Sequence, residues 1–514
     1  MSQETLKYDA IVIGSGAAGG MAAKSLTDGG ADVLVLEAGP EFSAARWRAH
    51  KLSPQEFAAQ KRRQPIQSQS LAYNNRNCHL FIDDIENPYS VGAGGDFTWI
   101  RSRLAGGRTL LWSRFALRLS ADEFTSAQQD GFGICWPITY EELSPYYDRA
   151  ETLLGVYGTP EGLPALPDGS FLSAPTPPFL TELRRRIETR FPERHLVPAR
   201  EAAEHTAETD ANPPSHSSIG STLARCKPDK LTLRSNSVVA RIELDHPGHA
   251  SGVRFIDRET GRWHEANARA ILCCASTIET VRLLLASATE ELPAGLANSS
   301  GTLGHFLMDH FAGCRLIATG KLTGQHTASR ARGYLPRFCN LGQEPENFLR
   351  GYGMQMDFEV DRHGNVILSL GVFGEVLPYY DNFIELDDRI KDSSGLAVPR
   401  IHFRYRDNEH RMALHAQTTA RELVEAMGLT PVVVHDTILS PGTRAHELGG
   451  ARMGSSPKNS VLNHWNQCWD VSNLFITDGS CFPSAGYKGP TLTIMALTAR
   501  TCDHILNRLR TGQL

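Results

Sequence analysis

The sequence lacks long apolar runs, an excess of charge and paired cysteines. No apolar run approaches the roughly 18 residues that a membrane-spanning helix needs. The 52 Lys and Arg residues are balanced by 57 Asp and Glu residues, so no basic surface for nucleic acid or for a membrane is predicted. The ten cysteines are scattered and form no CxxC pair, which argues against a metal or iron–sulfur site and favours free thiols in a reducing compartment.

The beginning of the sequence also lacks the features of a secretory signal. A polar hexapeptide leads directly into a short strand pattern, without a basic region, an apolar stretch or a twin arginine. We therefore expect a cytoplasmic protein, unless a partner subunit carries an export signal. A chain of 514 residues is too long for one simple core, so two or more domains are expected.

A nucleotide-binding pattern occupies residues 8–39. Gly14 can make a tight turn after the first strand, Gly16 lets the backbone approach a pyrophosphate, and Gly19 lets the following helix lie close to the strand. Glu37, 23 residues after Gly14, can bind ribose hydroxyls and would repel the 2′-phosphate of NADP. The pattern predicts a site for FAD or NAD, and a tight turn in some other α/β sheet is the alternative.

A second cluster of motifs lies in the last seventy or so residues. The segment NLFITDGS at 473–480, with Asp478 and Gly479 near its end, is typical of a buried strand followed by an acidic turn. Apolar residues between 492 and 509 then recur at steps of three and four, which predicts a helix. Pro490 suits the first helical position, and Gly489 would be the N-cap. We infer that the chain returns here to a discontinuous nucleotide-binding domain.

Five segments together resemble the glucose-methanol-choline (GMC) family of flavoprotein oxidoreductases, and they occur in the family's order. They are GSGAAG with Glu37, AGGRTLLW at 105–112, ILCCASTIETVRLLLAS at 271–287, HELGGARMG at 446–454 and GPTLTIMALTAR at 489–500. The sequence is most similar to the bacterial branch of sugar and glycoside dehydrogenases and oxidases, which includes pyranose-oxidase-like and glycoside 3-oxidising enzymes. The resemblance implies an α/β fold, α+β overall, with a Rossmann-like FAD-binding domain and a substrate-binding domain built on an antiparallel sheet.

The resemblance also implies domain boundaries. Residues 1–45, 90–119, 220–312 and 440–514 would form the discontinuous FAD-binding domain, residues 46–89 and 120–219 connecting or lid segments, and residues 313–439 the substrate-binding domain. In the last of these, Glu375, Tyr379 and His402 are pocket candidates, with a structural role as the alternative for each. His310, in FLMDHF, is assigned to domain packing.

FAD is the cofactor that the resemblance implies. In family members that tether FAD through a histidine, that residue lies four positions beyond the second glycine of the Gly-Gly turn; the corresponding residue here is Leu111, so FAD is expected to be bound non-covalently. The residues implied in FAD binding are Gly14, Gly16, Ala17, Ala18, Gly19, Glu37, Ala38, Gly106, Gly107, Leu111, Trp112, Val239, Ala275, Asp478, Gly479, Pro490 and Thr491.

The implied reaction oxidises a secondary alcohol of a sugar or glycoside to a ketone. Such a reaction removes the hydroxyl proton and passes a hydride to the flavin N5. The family uses the histidine of HxxGxxRMG and a second His or Asn before the proline of the last helix. His446 fills the first position, and an imidazole with a pKa of about 6.5 can act as the general base. The second position, 43 residues later, is Gly489.

Three explanations of Gly489 remain open at the sequence level. Tyr487 or Lys488 replaces the missing hydrogen-bond partner, or His446 works alone at a lower rate, or the protein does not oxidise simple alcohols. The alternative functions are a non-redox, lyase-type activity on the same scaffold and the flavin subunit of an electron-transfer dehydrogenase complex. The expected partners are a small sugar or glycoside and either dioxygen or another electron acceptor.

Overall fold

The computed structural model describes residues 6–41, 51–202, 216–324, 327–341 and 345–514. The domain boundary predicted near residue 45 and part of the connecting or lid segment predicted at 120–219 therefore lie outside the described residues. Within the described residues, no helix is both long enough and apolar enough to cross a bilayer. The helices are Ala17–Asp28, Pro54–Arg63, Ala121–Phe124, Ser126–Asp130, Tyr140–Leu154, Pro178–Arg190, Ser218–Ser221, Thr277–Ala286, Asp407–Ala426 and Thr491–Arg510.

The first sheet contains the predicted nucleotide-binding strands. Strand Leu6–Ile13 lies at its centre, between the parallel strands Val33–Leu36 and Trp263–Cys273. Residues 10–13 and 270–273 of these strands, and all of Val33–Leu36, are buried, which explains the continuous apolar sequence of these segments. The sheet runs in the order Leu231–Arg234, Val33–Leu36, Leu6–Ile13, Trp263–Cys273, His249–Asp257 and Ser237–His246, and Leu474–Ile476 also pairs with Trp263–Cys273.

The chain returns to this sheet at its C-terminal end. Strand Leu474–Ile476 joins it in parallel, and Ala22 of the first helix shares a buried apolar cluster with Cys502 and Ile505 of the last helix. The mixed α/β fold with a discontinuous nucleotide-binding sheet is thus confirmed. The exact domain boundaries remain a prediction.

The predicted start of the last helix is wrong by one residue. The last helix begins at Thr491 with Pro490 as its N-cap, since the Pro490 carbonyl accepts the first helical hydrogen bond from Ile494 at 2.9 Å. Gly489 therefore lies one residue before the N-cap.

The second large sheet is antiparallel throughout. It runs in the order Thr430–His435, Arg315–Lys321, Asn365–Glu375, Tyr352–Val360, Ser329–Leu335 and Val197–Pro198, with His310–Phe311 also paired to Asn365–Glu375. One face packs against helix Asp407–Ala426 through a shared apolar cluster that includes Met356, Leu370, Ala416 and Leu423. Two small sheets complete the fold: Phe383–Lys391, Ala397–His402 and Ser90–Val91 form one, and Leu172–Ser173, Val156–Gly158 and Glu201–Ala202 the other.

A short cross-connection joins the second sheet to the HELGGARMG segment. His310 pairs with Glu375 at the end of a long strand, and two residues earlier Met308 forms a bridge with Leu448. This connection places the loop that carries His446 beside His310.

The three glycines of the nucleotide motif have different surroundings. Gly14 has a φ of +98°, and a Cβ atom there would lie 2.5 Å from the Cys274 carbonyl oxygen. At Gly19, a Cβ would lie 1.8 Å from the Gly14 carbonyl oxygen, whereas at Gly16 it would meet no atom within 4 Å. Gly14 and Gly19 are thus required by close packing, and Gly16 leaves open space before the helix.

Alanine substitutions at Gly16 and Gly19 form a matched test of these roles. A helical Gly-to-Ala change ordinarily stabilises a protein by roughly 0.5–1 kcal/mol, but Gly19→Ala is expected to lower the melting temperature because the new methyl group collides with backbone. Gly16→Ala is expected to keep the melting temperature of the apoprotein and to weaken FAD binding about tenfold or more. Thermal unfolding and flavin titration measure both effects, and an unchanged melting temperature for Gly19→Ala would contradict the close approach.

Candidate active site

A cavity of about 440 Å³ opens at the carboxyl ends of the parallel strands and extends to the second sheet. Most of the residues predicted for the site line it: Gly14, Gly16, Ala17, Ala18, Glu37, Ala38, Gly107, Leu111, Trp112, Val239, Ala275, His446, Asp478, Gly479, Gly489, Pro490 and Thr491. Gly19 and Gly106 are not among the lining residues, although they belong to the two glycine-containing turns that form the wall. Tyr487 and Lys488 are not among the lining residues.

Glu37 lies at one end of the cavity, where the second strand ends. Its carboxylate accepts hydrogen bonds from the Ser15 hydroxyl at 2.6 Å, the Ser15 amide at 3.1 Å and the Gly39 amide at 2.8 Å. Burial raises the pKa of Glu37, and these hydrogen bonds oppose that effect. Because a carboxylate has about four lone-pair sites, Glu37 can still accept hydrogen bonds from ligand hydroxyls.

Arg108 connects three parts of the wall. It follows the Gly-Gly turn, and its guanidinium donates to the Ala445 carbonyl at 2.8 Å and to the Ser276 hydroxyl at 2.9 Å. It also pairs with the buried carboxylate of Glu447 at 2.6 Å. The sequence gives no sign of this role except the position of Arg108 directly after the Gly-Gly turn.

Two of the residues that Arg108 contacts have left-handed backbones. Ala445 has a φ of 56° and Ser276 a φ of 80°, conformations that are costly for residues with a side chain. Such strain concentrates at functional sites, where the surrounding structure fixes it. At Ala445 the turn directs the next residue, His446, into the cavity wall.

His446 forms a hydrogen-bonded pair with His310. The two Nδ1 atoms are 2.9 Å apart, and the rings are perpendicular with centroids 5.0 Å apart. The other ring nitrogen of His310, Nε2, lies 2.9 Å from the Gly486 carbonyl oxygen. Sequence reasoning assigned His310 to packing alone, because only the fold shows that it contacts the candidate base.

The His446 ring is neutral in this environment. Burial lowers its pKa well below the ordinary value, and the neighbouring His310, Arg108 and Arg444 lower it further. Burial likewise lowers the pKa of His310 to about 4. An imidazole that is neutral at physiological pH has a free lone pair and can accept a proton.

Gly489 faces the candidate base His446, as the family spacing predicts. A Cβ at this position would lie 3.8 Å from Cε1 and 4.0 Å from Nε2 of His446, which are ordinary van der Waals distances. The position therefore has room for a side chain beside the imidazole.

Tyr487 and Lys488 point away from this position. The Tyr487 hydroxyl donates to the Ala165 carbonyl at 2.8 Å, and the Lys488 ammonium group pairs with the Glu123 carboxylate. Each residue is only 1% exposed. In the described arrangement, neither supplies the hydrogen-bond partner that is missing at Gly489.

Asp478 and the start of the last helix form another part of the cavity wall. The Asp478 carboxylate accepts hydrogen bonds from the Ser480 amide at 3.0 Å and from the Ser480 and Thr280 hydroxyls. Pro490 and Thr491, at the start of the last helix, line the cavity. A helix N-terminus carries a partial positive charge, so this wall favours an anionic ligand group.

Three donor groups of the lining residues are buried without a hydrogen-bond partner among the described residues. They are the indole Nε1 of Trp112 and the guanidinium Nε atoms of Arg101 and Arg444. Buried polar groups are normally paired, so these three favour a ligand with acceptor atoms. Together with the open backbone at Gly16 and the buried Glu37, they fit a large dinucleotide such as FAD.

The three pocket candidates from the antiparallel sheet have structural roles instead. Glu375 is buried in an ion pair with Arg350 at 3.0 Å, and the Tyr379 hydroxyl donates to Glu409. His402 stacks on Phe383 with ring centroids 4.1 Å apart. None of the three lines the described cavity.

Two segments of the chain match known domain families. Residues 9–49 match a family described as "FAD binding domain", and residues 378–498 match the family described as "GMC oxidoreductase". The first match covers the glycine-rich turn and Glu37, and the second covers His446 and Gly489.

Several curated proteins are similar to the chain. A 2-methyl-1,2-propanediol dehydrogenase of Mycolicibacterium austroafricanum is 31% identical over 99% of this chain and 97% of the relative. The fructose dehydrogenase large subunit of Gluconobacter japonicus is 27% identical over the full length of both chains. A C-glycoside 3-oxidase of Arthrobacter globiformis is 28% identical over 55% of each chain.

The fold is also found among solved structures. The crystal structure of pyridoxine 4-oxidase from "Mesorbium loti" superposes with a TM-score of 0.62 at 16% identity, covering 96% of this chain and 98% of that one. At this identity the likeness shows the shared fold. Because a relative 31% identical spans almost the whole of both chains, the protein belongs to the GMC family of FAD-dependent oxidoreductases.

Proposed function

We propose that the protein oxidises a secondary alcohol of a sugar or glycoside to a ketone, with His446 as the general base. The substrate class is supported by the names of two relatives, a fructose dehydrogenase large subunit and a C-glycoside 3-oxidase, and the name of the 2-methyl-1,2-propanediol dehydrogenase supports alcohol oxidation in general. The observation that carries the proposal is the position of His446: it lines the cavity as a neutral imidazole, beside an open space at Gly489.

The proposed reaction separates the proton and the hydride of one alcohol carbon. His446 accepts the hydroxyl proton at Nε2, because Nδ1 is engaged with His310. When bound, FAD supplies the electrophilic N5 that accepts the hydride from the same carbon. The alcohol loses one proton and one hydride and becomes a ketone. The positive end of the last helix favours the negative charge that develops in this part of the cavity.

The side chains near His446 also limit which substrates suit the cavity. Phe373 lies beside the base with its ring centroid 5.9 Å from that of His446, and the Arg444 guanidinium stacks on Phe373 at 4.0 Å. Gln355 lines the same part of the cavity. An aromatic face flanked by an amide and a guanidinium suits a compact, hydroxyl-rich molecule, since the ring packs on C–H groups and the polar groups bind hydroxyls.

We propose dioxygen or another electron acceptor as the second substrate. One relative is named as the large subunit of a dehydrogenase. This name favours a variant of the proposed function in which the protein is the flavin subunit of an electron-transfer complex. We also propose a cytoplasmic location, which is supported by ten cysteines that are all free and mostly buried.

The variant His446→Ala tests the assignment of the base. It is expected to retain FAD, and its flavin should be reduced by sugars on the order of 10²- to 10⁴-fold more slowly because no group accepts the hydroxyl proton. The measurement is anaerobic mixing of the holoenzyme with a panel of sugars, glycosides and 1,2-diols while flavin absorbance is followed. His363→Ala, which removes an exposed imidazole from a surface turn, is the matched control.

Two outcomes would contradict the proposal. A wild-type reduction rate in His446→Ala would exclude this residue as the base. A flavin that dithionite reduces but that no alcohol in the panel reduces would exclude alcohol oxidation. Readmission of air to the reduced enzyme then distinguishes an oxidase from a dehydrogenase.

Substitutions at Gly489 test whether the family's second position is empty. Gly489→Asn should fold and bind FAD, because its Cβ meets only ordinary contacts, and should speed flavin reduction about tenfold by giving the substrate hydroxyl a second hydrogen bond. Gly489→Ala adds the Cβ without the amide and should change the rate less than threefold or so. Slower reduction in both variants would show that the substrate occupies this space.

Release of the flavin from the denatured protein tests whether FAD is bound without a covalent bond, as Leu111 predicts. Leu111 lines the cavity with an alkyl side chain that offers no nucleophile for a covalent bond. Acid or heat denaturation is therefore expected to release all of the flavin into the supernatant. Flavin fluorescence that stays with the denatured chain in gel electrophoresis would refute non-covalent binding.

A further inference from the structure

Three hydrogen bonds lead away from the cavity behind His446. The first joins Nδ1 of His446 to Nδ1 of His310 at 2.9 Å, and the second joins Nε2 of His310 to the Gly486 carbonyl at 2.9 Å. In the third, the Tyr487 amide donates to the Glu123 carboxylate at 3.3 Å. The Gly486 carbonyl and the Tyr487 amide belong to one peptide group, so the series is continuous from His446 to Glu123.

The chemistry of the acceptors fixes the position of every proton in this series. A carbonyl oxygen only accepts, so His310 must carry its proton on Nε2. A neutral His310 then presents a lone pair at Nδ1, and His446 must donate from its own Nδ1. The remaining nitrogen of His446, Nε2, is thereby left unprotonated and available to the substrate.

All three donors point the same way, from the cavity toward Glu123. That carboxylate is 1% exposed and also accepts hydrogen bonds from the Ser120 amide at 2.7 Å and the Ser120 hydroxyl at 3.0 Å. Burial would raise the pKa of Glu123, but the charge of Lys488 and its hydrogen bond lower it below the ordinary value. An ionised carboxylate at the far end favours this direction of donation, because aligned hydrogen bonds polarise one another.

Lys488 completes the series. Burial lowers the pKa of its ammonium group to about 8, against the opposing effect of Glu123. The ammonium group is therefore charged at neutral pH, and it forms a buried ion pair with Glu123. Lys488 thus contacts this series of hydrogen bonds through Glu123, although it does not line the cavity.

We propose that His310 is a positioning residue that holds His446 in the tautomer with Nε2 unprotonated, and that the Glu123–Lys488 ion pair, through the Tyr487 amide, holds in place the peptide group whose carbonyl fixes this tautomer. The inference rests on the proposed function of His446 as the base. After Nε2 of His446 accepts the substrate proton, its Nδ1–H still donates to His310, so the positive ring keeps its partner and its orientation. No proton leaves His446 along this series.

Histidine tautomers in the resting holoenzyme give a direct test that does not depend on turnover. With ¹⁵N-labelled histidine, the ring-nitrogen chemical shifts should show Nδ1 of His446 protonated and Nε2 unprotonated, and the reverse for His310. His446→Ala and conservative substitutions at His310 assign the signals. A protonated Nε2 on His446 in the resting enzyme would overturn the inference.

Two substitutions of His310 separate positioning from packing. The side-chain oxygen of His310→Asn lies near the place of Nδ1 and can still accept from His446, whereas the amide of His310→Gln lies near the place of Nε2 and can reach only Gly486. His310→Gln is expected to slow flavin reduction about a hundredfold with little change in substrate Kd, because His446 loses its fixed tautomer. His310→Asn is expected to retain the tautomer signal and to stay within about tenfold of the wild-type rate.

The pair of variants also defines the outcome that contradicts the inference. Equal rate losses in both, with the His446 tautomer unchanged, would show that His310 serves packing alone. Should neither variant fold, the tautomer of the wild-type holoenzyme still decides. If no alcohol reduces the flavin, the proposed function fails, but the tautomer measurement still tests the series of hydrogen bonds by itself.

Discussion

The hydrogen bond between the Nδ1 atoms of His446 and His310 is the contact on which the organisation of the site depends. His310 belongs to a short strand of the antiparallel sheet, and His446 lies on a loop bridged to that strand through Met308 and Leu448. The bond therefore joins the antiparallel sheet to the loop that carries the proposed base. A neutral imidazole pair is also the form that burial favours, since a charge on either ring would be poorly solvated.

The glycine-rich turn and the Gly-Gly loop are held in place by contacts that do not involve the His446 ring. Close backbone packing at Gly14 and Gly19 fixes the glycine-rich turn, and Arg108 ties the Gly-Gly loop to Ala445. The left-handed backbone at Ala445 is thus held by a hydrogen bond from a residue that lines the cavity. The position of His446 relative to the flavin site is set by these contacts, which explains how a loop can position a catalytic group accurately.

Local sequence patterns predicted the parts of the site that depend on local geometry. The glycine-rich turn, Glu37 and the last helix could be predicted because strand, turn and helix are encoded within about 30 residues of one another. The contacts of His310 and Arg108 in the site could not be predicted, because each acts on a residue more than a hundred positions away. Whether Tyr487 replaces the missing partner stayed open for a related reason: adjacency to Gly489 does not determine side-chain direction. Gly486, with a φ of +62°, turns the chain so that Tyr487 packs behind the site.

The Glu123–Lys488 pair is difficult to explain by stability alone. A buried ion pair gives up hydration on both sides, and replacing such pairs by apolar residues is often neutral or stabilising. Glu123 nevertheless binds Lys488, Ser120 and the Tyr487 amide at once, and the last of these belongs to the peptide group whose carbonyl holds His310. A fully paired carboxylate in that position holds this peptide group beside His310. A neutral apolar pair could fill the same space, but it would not bind the Tyr487 amide, so positioning of the peptide group beside His310 accounts for a charge pair that packing does not require.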